Sequence, residues 1–131
     1  MNLLISFCNL IVIFSINPFF TQYGDTMEHI SADELHNRAA TLSSDELILD
    51  VRSPSEFNDG HIEGAQNTPH EDVTSEVDSL KSYKTIYVHC KMGGRAKMAA
   101  EELQGAGLKN IVCVSEGGMQ RWTDMGWPVA K

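Results

Sequence analysis

The twelve residues Thr85-Ile-Tyr-Val-His-Cys-Lys-Met-Gly-Gly-Arg-Ala96 hold the densest chemistry in the chain. Their apolar beginning, Thr85–His89, reads as a buried strand that delivers Cys90 to its carboxyl end. A helix pattern starts about six residues later, and in an open α/β sheet that edge is where ligands bind. Gly93 and Gly94 permit positive φ, so successive amide N–H groups can converge on one centre. The helix N-terminus adds partial positive charge, while Lys91 and Arg95 add full charges. Donors and cations together favour an anionic sulfur at Cys90, an activated nucleophile beside a preformed anion site.

Two kinds of anion-handling nucleophile use such a turn, a phosphatase and a sulfurtransferase. A tyrosine-type phosphatase loop runs Cys-x5-Arg, whereas Cys90 and Arg95 are spaced Cys-x4-Arg and Ala96 stands where that arginine would be. No carboxylate lies within 91–95 to act as a general acid. The shorter loop makes a tighter cradle, suited to one extra sulfur on Cys90 rather than to a phosphoryl group.

Positioning this loop requires an α/β frame. Short apolar runs at Leu47–Val51, Thr85–His89 and Ile111–Val114 predict strands buried on both faces. Three helix starts carry a capping-box pattern: Ser31–Glu34, Ser53–Glu56 and Thr68–Glu71, the last two with Pro54 and Pro69 at the first helical position. After Thr68 one helix face would present Val73, Val77 and Leu80. A second helix would present Ala96, Ala99, Ala100 and Leu103 and stop at Gly105 or Gly107; a last one would run from about Met119 to Met125. Strands alternating with helices predict a mainly parallel sheet in one domain.

The composition agrees with a globular domain and excludes several classes. The 131 residues are 42% hydrophobic and 21% charged, enough apolar material for a real core. A net charge of −8 argues against a nucleic-acid binder. Three cysteines make no disulfide framework and no Cys/His cluster has zinc-ligand spacing, so neither a metal nor a cofactor is expected. The charge is uneven: residues 1–80 hold 14 acids against Arg38 and Arg52, whereas residues 81–131 hold eight bases against four acids. The reactive loop lies in the basic part.

Residues 1–20 contain no charged side chain and are mostly apolar, and Cys8 lies among them. For the segment 1–26 three readings stay open. A signal peptide lacks its basic n-region and cleavage site, and a membrane anchor is interrupted by Asn9, Asn17 and Pro18. In the third, translation starts at Met27 and the globular part is 27–131. A start at Met27 would make the protein cytoplasmic; a retained leader would export it or anchor it to a membrane.

Three blocks in order resemble the single-domain rhodanese family of thiosulfate sulfurtransferase-like proteins. They are Leu49-Asp-Val-Arg-Ser-Pro-Ser-Glu-Phe-Asn-Asp-Gly-His-Ile-Glu-Gly-Ala65, the loop Cys90-Lys-Met-Gly-Gly-Arg95, and Gly117-Gly-Met-Gln-Arg-Trp-Thr-Asp-Met-Gly-Trp-Pro-Val129. The resemblance covers about His29 to Lys131 and implies a three-layer fold with a five-stranded parallel sheet flanked by helices. It also implies that Cys90 takes the outer sulfur of thiosulfate as a persulfide and passes it to a thiophile, cyanide in an assay or a thiol in the cell. A protein acceptor, or a role as persulfide carrier or regulatory module, is the alternative. By the family pattern the 91–95 loop, Lys91, Met92, Gly93, Gly94 and Arg95, stabilises the persulfide, with Lys91 and Arg95 on the sulfonate.

Two departures from that pattern stand out. Ala96 occupies a position that is often Ser or Thr, and Met119 replaces a frequent Trp near the pocket. Asp50 and Arg52, at a strand end, are expected to brace the loop and a neighbouring turn by charge-assisted hydrogen bonds. His61 reads as part of a turn, and His89 should face away from Cys90 because strand side chains alternate. Cys113 reads as a core residue, and Trp122 and Trp127 as packing for the last helix and tail.

Overall fold

Apolar runs without polar alternation need cover on both faces, which a parallel sheet obtains from its crossover helices. The computed structural model describes residues 26–131. Cys8 and the readings of the segment before residue 26 therefore concern a stretch outside the described residues. Five strands, β1 (Glu28–Ser31), β2 (Glu46–Asp50), β3 (Gln66–Asn67), β4 (Thr85–His89) and β5 (Ile111–Glu116), pair in parallel in the order β1-β5-β4-β2-β3. The three apolar runs became the three inner strands. The edge strands, Glu-His-Ile-Ser and Gln-Asn, are short and polar, which suits positions with one neighbour.

The helices are α1 (Ala32–Ala39), α2 (Pro54–Asp59), α3 (Val77–Leu80), α4 (Gly94–Gly105) and α5 (Gly118–Asp124), with a 3-10 segment at His70–Glu76. Alternation along the inner strands sorts the core into two halves. Leu47, Leu49, Ile86, Val88, Cys90 and Cys113 share one face with Ala96, Ala99, Ala100 and Leu103 of α4. Ile48, Tyr87, Val112 and Val114 share the other with Leu35 of α1 and Met119 and Trp122 of α5. Three alanines turned to the sheet let α4 lie close to it, and all are fully buried. The result is the expected three-layer arrangement.

The helix starts differ from the capping pattern in an instructive way. Ser53–Glu56 forms the complete reciprocal box, with Pro54 opening α2. Ser31 accepts from the Glu34 amide, but the Glu34 carboxylate turns to Arg38, so the box is half made. Thr68–Glu71 forms no cap. The Thr68 amide donates to the Asp50 carbonyl and the His70 amide to the Val51 carbonyl, which holds this stretch as an extension of β2's edge. Pro69 is extended, at φ −52° and ψ 146°, and the 3-10 turn starts only at His70.

At the end of the chain, the His36 ring stacks on Trp127 at 3.9 Å, and Trp122 Nε1 donates to the Pro128 carbonyl at 2.8 Å. The tail then pairs back: His61 and Ala130 exchange backbone hydrogen bonds of 2.9 and 2.8 Å. Leu103 is fully buried between α4 and the sheet. Leu103→Ala is expected to lower stability by about 2–5 kcal/mol, seen as a lower denaturation midpoint at unchanged slope.

Candidate active site

Cys90 follows β4 directly, and its residue is almost fully buried, at 1% exposure. Its Sγ accepts two backbone N–H groups, from Gly93 at 3.1 Å and from Ala96 at 3.3 Å. Two amides aimed at one sulfur, at the N-terminus of the twelve-residue α4, stabilise negative charge there. Ala96 thus contributes its amide, and its methyl is buried beneath the loop.

The amides point inward because the carbonyls are held outward. The Cys90 carbonyl accepts from the Met119 amide at 2.8 Å and the Lys91 carbonyl from the Gln120 amide at 3.0 Å. The opening of α5 therefore clamps the loop from outside. Gly118 makes this approach feasible: its φ is +36°, and a Cβ there would stand 2.3 Å from the Cys90 oxygen and 2.6 Å from the Lys91 oxygen. Gly93, at φ +121°, lies as tightly on β5, since a Cβ would meet the Ser115 carbonyl oxygen at 2.3 Å. Gly94 does not share this role. It opens α4 with ordinary negative φ and free space around it, so the expected pair of left-handed glycines is a single one.

The loop side chains divide. Lys91 and Met92 are exposed, Met92 by 67%. Arg95 is half-buried and fully engaged: its two terminal nitrogens donate to the two carboxylate oxygens of Glu56 at 2.7 and 3.1 Å. Glu56 also accepts from the Ser53 amide and hydroxyl, so one carboxylate closes the α2 cap and holds the reactive loop. The Arg95 guanidinium holds the Glu56 carboxyl at about 2, well below its ordinary 4.5. Cys90 and Asp50 lie close enough to add to the retention of the Arg95 charge. Glu56 belongs to the site and is legible in the sequence only as a helix cap.

Asp50 and Arg52 form a buried pair on the other face. Arg52 Nε and one terminal nitrogen donate to the Asp50 carboxylate, the shortest contact being 2.7 Å, and the same nitrogen donates to the Gly60 carbonyl at 2.8 Å. Asn67 donates to the Asp50 and Arg52 carbonyls. The pair fixes the Gly60 turn and the β2 end; the β4 end is joined to β2 by the bond from the Val51 amide to the His89 carbonyl. His89 faces away from Cys90 Sγ, fully buried, with Nε2 3.7 Å from Asp50 and without a hydrogen bond. Burial pushes its pKa below the ordinary 6.5. His61 stacks on Phe57 and its Nδ1 meets the Phe57 carbonyl at 2.8 Å, a turn role as expected.

Two other residues stand apart from the cradle. The Met119 side chain lies in the core between α1, α5 and the sheet, and its backbone amide is what reaches the loop. Cys113 is a free, fully buried thiol that burial pushes up to about 11, which keeps it protonated. A concavity of about 860 Å³ opens at the opposite end of the sheet, lined by Met27, Lys84, Leu108 and Ile111. This hollow and the Cys90 loop lie at different ends of the sheet.

A model of the Rhodanese-like domain matches residues 31–125. The chain belongs to the rhodanese-like domain family. The uncharacterized protein YqhL of Bacillus subtilis is 33% identical over 75 residues, 57% of this chain and 59% of that protein. Thiosulfate sulfurtransferase 18 of Arabidopsis thaliana is 31% identical over 116 residues, covering 78% of this chain and 85% of the relative. The solution structure of a rhodanese-like domain from Anabaena matches 80% of each chain with a TM-score of 0.70 at 32% identity. The chain spans only part of several relatives, 45% of the putative sulfur carrier protein YrkF of Bacillus subtilis among them. The rhodanese membership and the five-stranded parallel fold are those that the three sequence blocks implied.

Two outcomes follow from this rhodanese site. Gly118→Ala should destabilise the protein by about 1–3 kcal/mol, whereas Gly94→Ala should stay within about 1 kcal/mol of wild type; denaturant unfolding compares them. Acid should act in two windows. Below pH 6.5 the unfolded chain takes up a proton that buried His89 resists, and from 4.5 toward 2 protonation of Glu56 releases Arg95. Glu56→Gln should remove its share of the lower window and leave the upper one, as measured by stability against pH.

Proposed function

We propose that this rhodanese domain is a sulfurtransferase that carries sulfane sulfur on Cys90, with thiosulfate as donor. The observation that carries the reading is the pair of amides, from Gly93 and Ala96, that converge on Cys90 Sγ at the carboxyl end of the central strand. In the first half-reaction the Cys90 thiolate attacks the outer sulfur of thiosulfate. A new S–S bond forms at Cys90, the bond between the two sulfurs of the donor breaks, and sulfite leaves with the electron pair. Cys90 is left as a persulfide anion. In the second, a thiophile attacks the terminal sulfur and regenerates the thiolate; cyanide becomes thiocyanate, and a thiol becomes a persulfide.

The site's features serve these steps directly. Inward amides can bear the charge of the persulfide as they bear that of the thiolate, without rearrangement between the halves of the cycle. Lys91, exposed at the mouth, meets the anionic donor, and Arg95 contributes its positive charge from the wall. Asp50 and Arg52 act as supports, bracing the strand ends and the Gly60 turn. The reaction requires neither a metal nor a cofactor. The family's sulfurtransferase-named and carrier-named relatives support the general reading.

An acceptor thiol on a partner protein is the second reading, favoured by the exposure of Met92 and Lys91 around a sulfur that is itself buried. A leader retained before residue 26 would place this chemistry at a membrane or outside the cell, and a start at Met27 in the cytoplasm.

Purified protein should convert thiosulfate and cyanide to thiocyanate and sulfite, and Cys90→Ser should abolish turnover. Intact mass after thiosulfate alone should show one added sulfur, about 32 Da, on Cys90 as a persulfide. Equal activity in Cys90→Ser, or an adduct on Cys113 instead, would overturn the reading.

A further inference from the structure

The two cations of the Cys90 loop are not equivalent. Lys91 is exposed, and no carboxylate among the described residues pairs with it. Arg95 has both terminal nitrogens on the two oxygens of Glu56, with side-chain exposures of 30% and 32% for the pair. Glu56 in turn is fixed by the Ser53 amide at 3.1 Å and the Ser53 hydroxyl at 3.0 Å. The pair joins the helices that follow β2 and β4, two adjacent strands, on the side of the sheet ends where Cys90 lies, and the Cys90 sulfur is near enough to act on the Arg95 charge. Glu56 thus places the guanidinium and also subtracts a charge from the place where an anionic donor must react.

The consequence depends on the charge of the donor. Attack of the Cys90 thiolate on thiosulfate gathers three negative charges in the cradle. Attack on an organic persulfide anion gathers two: a bond forms between Cys90 Sγ and the terminal sulfur, the donor's S–S bond breaks, and a thiolate leaves with the electron pair. Lys91, Arg95 and Glu56 together supply a net charge of +1, whereas the loop cations alone would supply +2. Each negative charge on a donor meets the Glu56 carboxylate once, so the penalty grows with donor charge.

We propose that Glu56 is a specificity-determining positioning residue: by clamping and neutralising Arg95, it shifts the Cys90 site away from doubly charged thiosulfate toward singly charged organic persulfides. The proposal rests on the reading of Cys90 as a sulfur acceptor and says how Glu56 weights one class of donor against another, thiosulfate remaining a substrate. The depressed titration of Glu56 agrees with it, because the carboxylate stays ionised wherever the enzyme would work.

The test uses the full chain as wild type, Glu56→Gln and Glu56→Asp. Gln suits a capping box as well as Glu does, so Glu56→Gln removes the charge while keeping the cap. With cyanide as acceptor, kcat/KM is measured for thiosulfate and for cysteine persulfide. Glu56→Gln should raise the thiosulfate-to-persulfide ratio about fourfold, through KM for thiosulfate, and the shift should shrink in about 1 M salt. Glu56→Asp should keep the wild-type ratio. An equal change for both donors, or a ratio that moves toward persulfide, would overturn the proposal.

A second readout needs no turnover. Alkylation at the Cys90 peptide by iodoacetate, an anion, is compared with that by neutral iodoacetamide; Glu56→Gln should raise the rate ratio about fourfold. An unchanged ratio overturns the proposal. A raised ratio in a protein that turns over neither donor upholds the charge-setting role of Glu56 and refutes the sulfurtransferase reading, so the two failures are distinct.

Discussion

Everything at the reactive end of this protein depends on which way two peptide groups face. The carbonyls of Cys90 and Lys91 are turned outward onto the amides of Met119 and Gln120, and the loop amides are thereby free to face the sulfur. A backbone polar group must find a partner somewhere, and α5 supplies partners on the side where they do no harm to the anion. The requirement reaches far into the fold. It fixes glycine at 118, draws α5 against the end of β4, and makes the seat of α5 on α1 and the sheet a condition for the geometry around Sγ.

A second constraint is electrostatic and is divided between the two faces of the sheet. The buried Asp50–Arg52 pair meets the cost of desolvation by satisfying itself and the Gly60 carbonyl. It stiffens the β2 end, and the Asp50 charge still reaches Arg95. On the other side, Arg95 and Glu56 form a half-exposed pair whose charge remains felt at Cys90. The fold thus keeps a buried ion pair and a half-exposed one, with Asp50 and Glu56 only six positions apart on β2 and α2. His89 lies beside the buried pair, turned away from Cys90 Sγ, and its burial disfavours the imidazolium, so it is not placed to take a proton from the nucleophile that follows it in sequence.

How much of this was legible in the sequence depended on how far each interaction reaches along the chain. The Cys90 loop could be read because strand, glycine, cations and helix start fall within twelve residues, and the three inner strands because their apolar runs are continuous. The Glu56–Arg95 clamp joins residues 39 positions apart, and Glu56 already had a sufficient local explanation as a cap. The grip of α5 on the loop is made by amides, which carry no side-chain signature, although the adjacent glycines at 117 and 118 marked the place. Thr68 shows the reverse error: its local pattern was sound, yet hydrogen bonds to β2 overrode it. The family pattern places Met119 near the pocket, but its seat on α5 turns the side chain into the core against α1 and the sheet.

The grip of α5 on the loop also has a consequence for the order in which the molecule is made. On the ribosome, residues 85–96 emerge before residues 117–120, so the thiol of Cys90 is synthesised ahead of the clamp that turns its peptide groups. Among the described residues the first strand, β1, pairs with the last, β5. The sheet edge and the cradle are therefore both completed by residues made after the loop, those of β5 and the opening of α5. While residues 91–120 are being made Cys90 lacks its clamp, and the cradle around its sulfur is complete only when the fold closes.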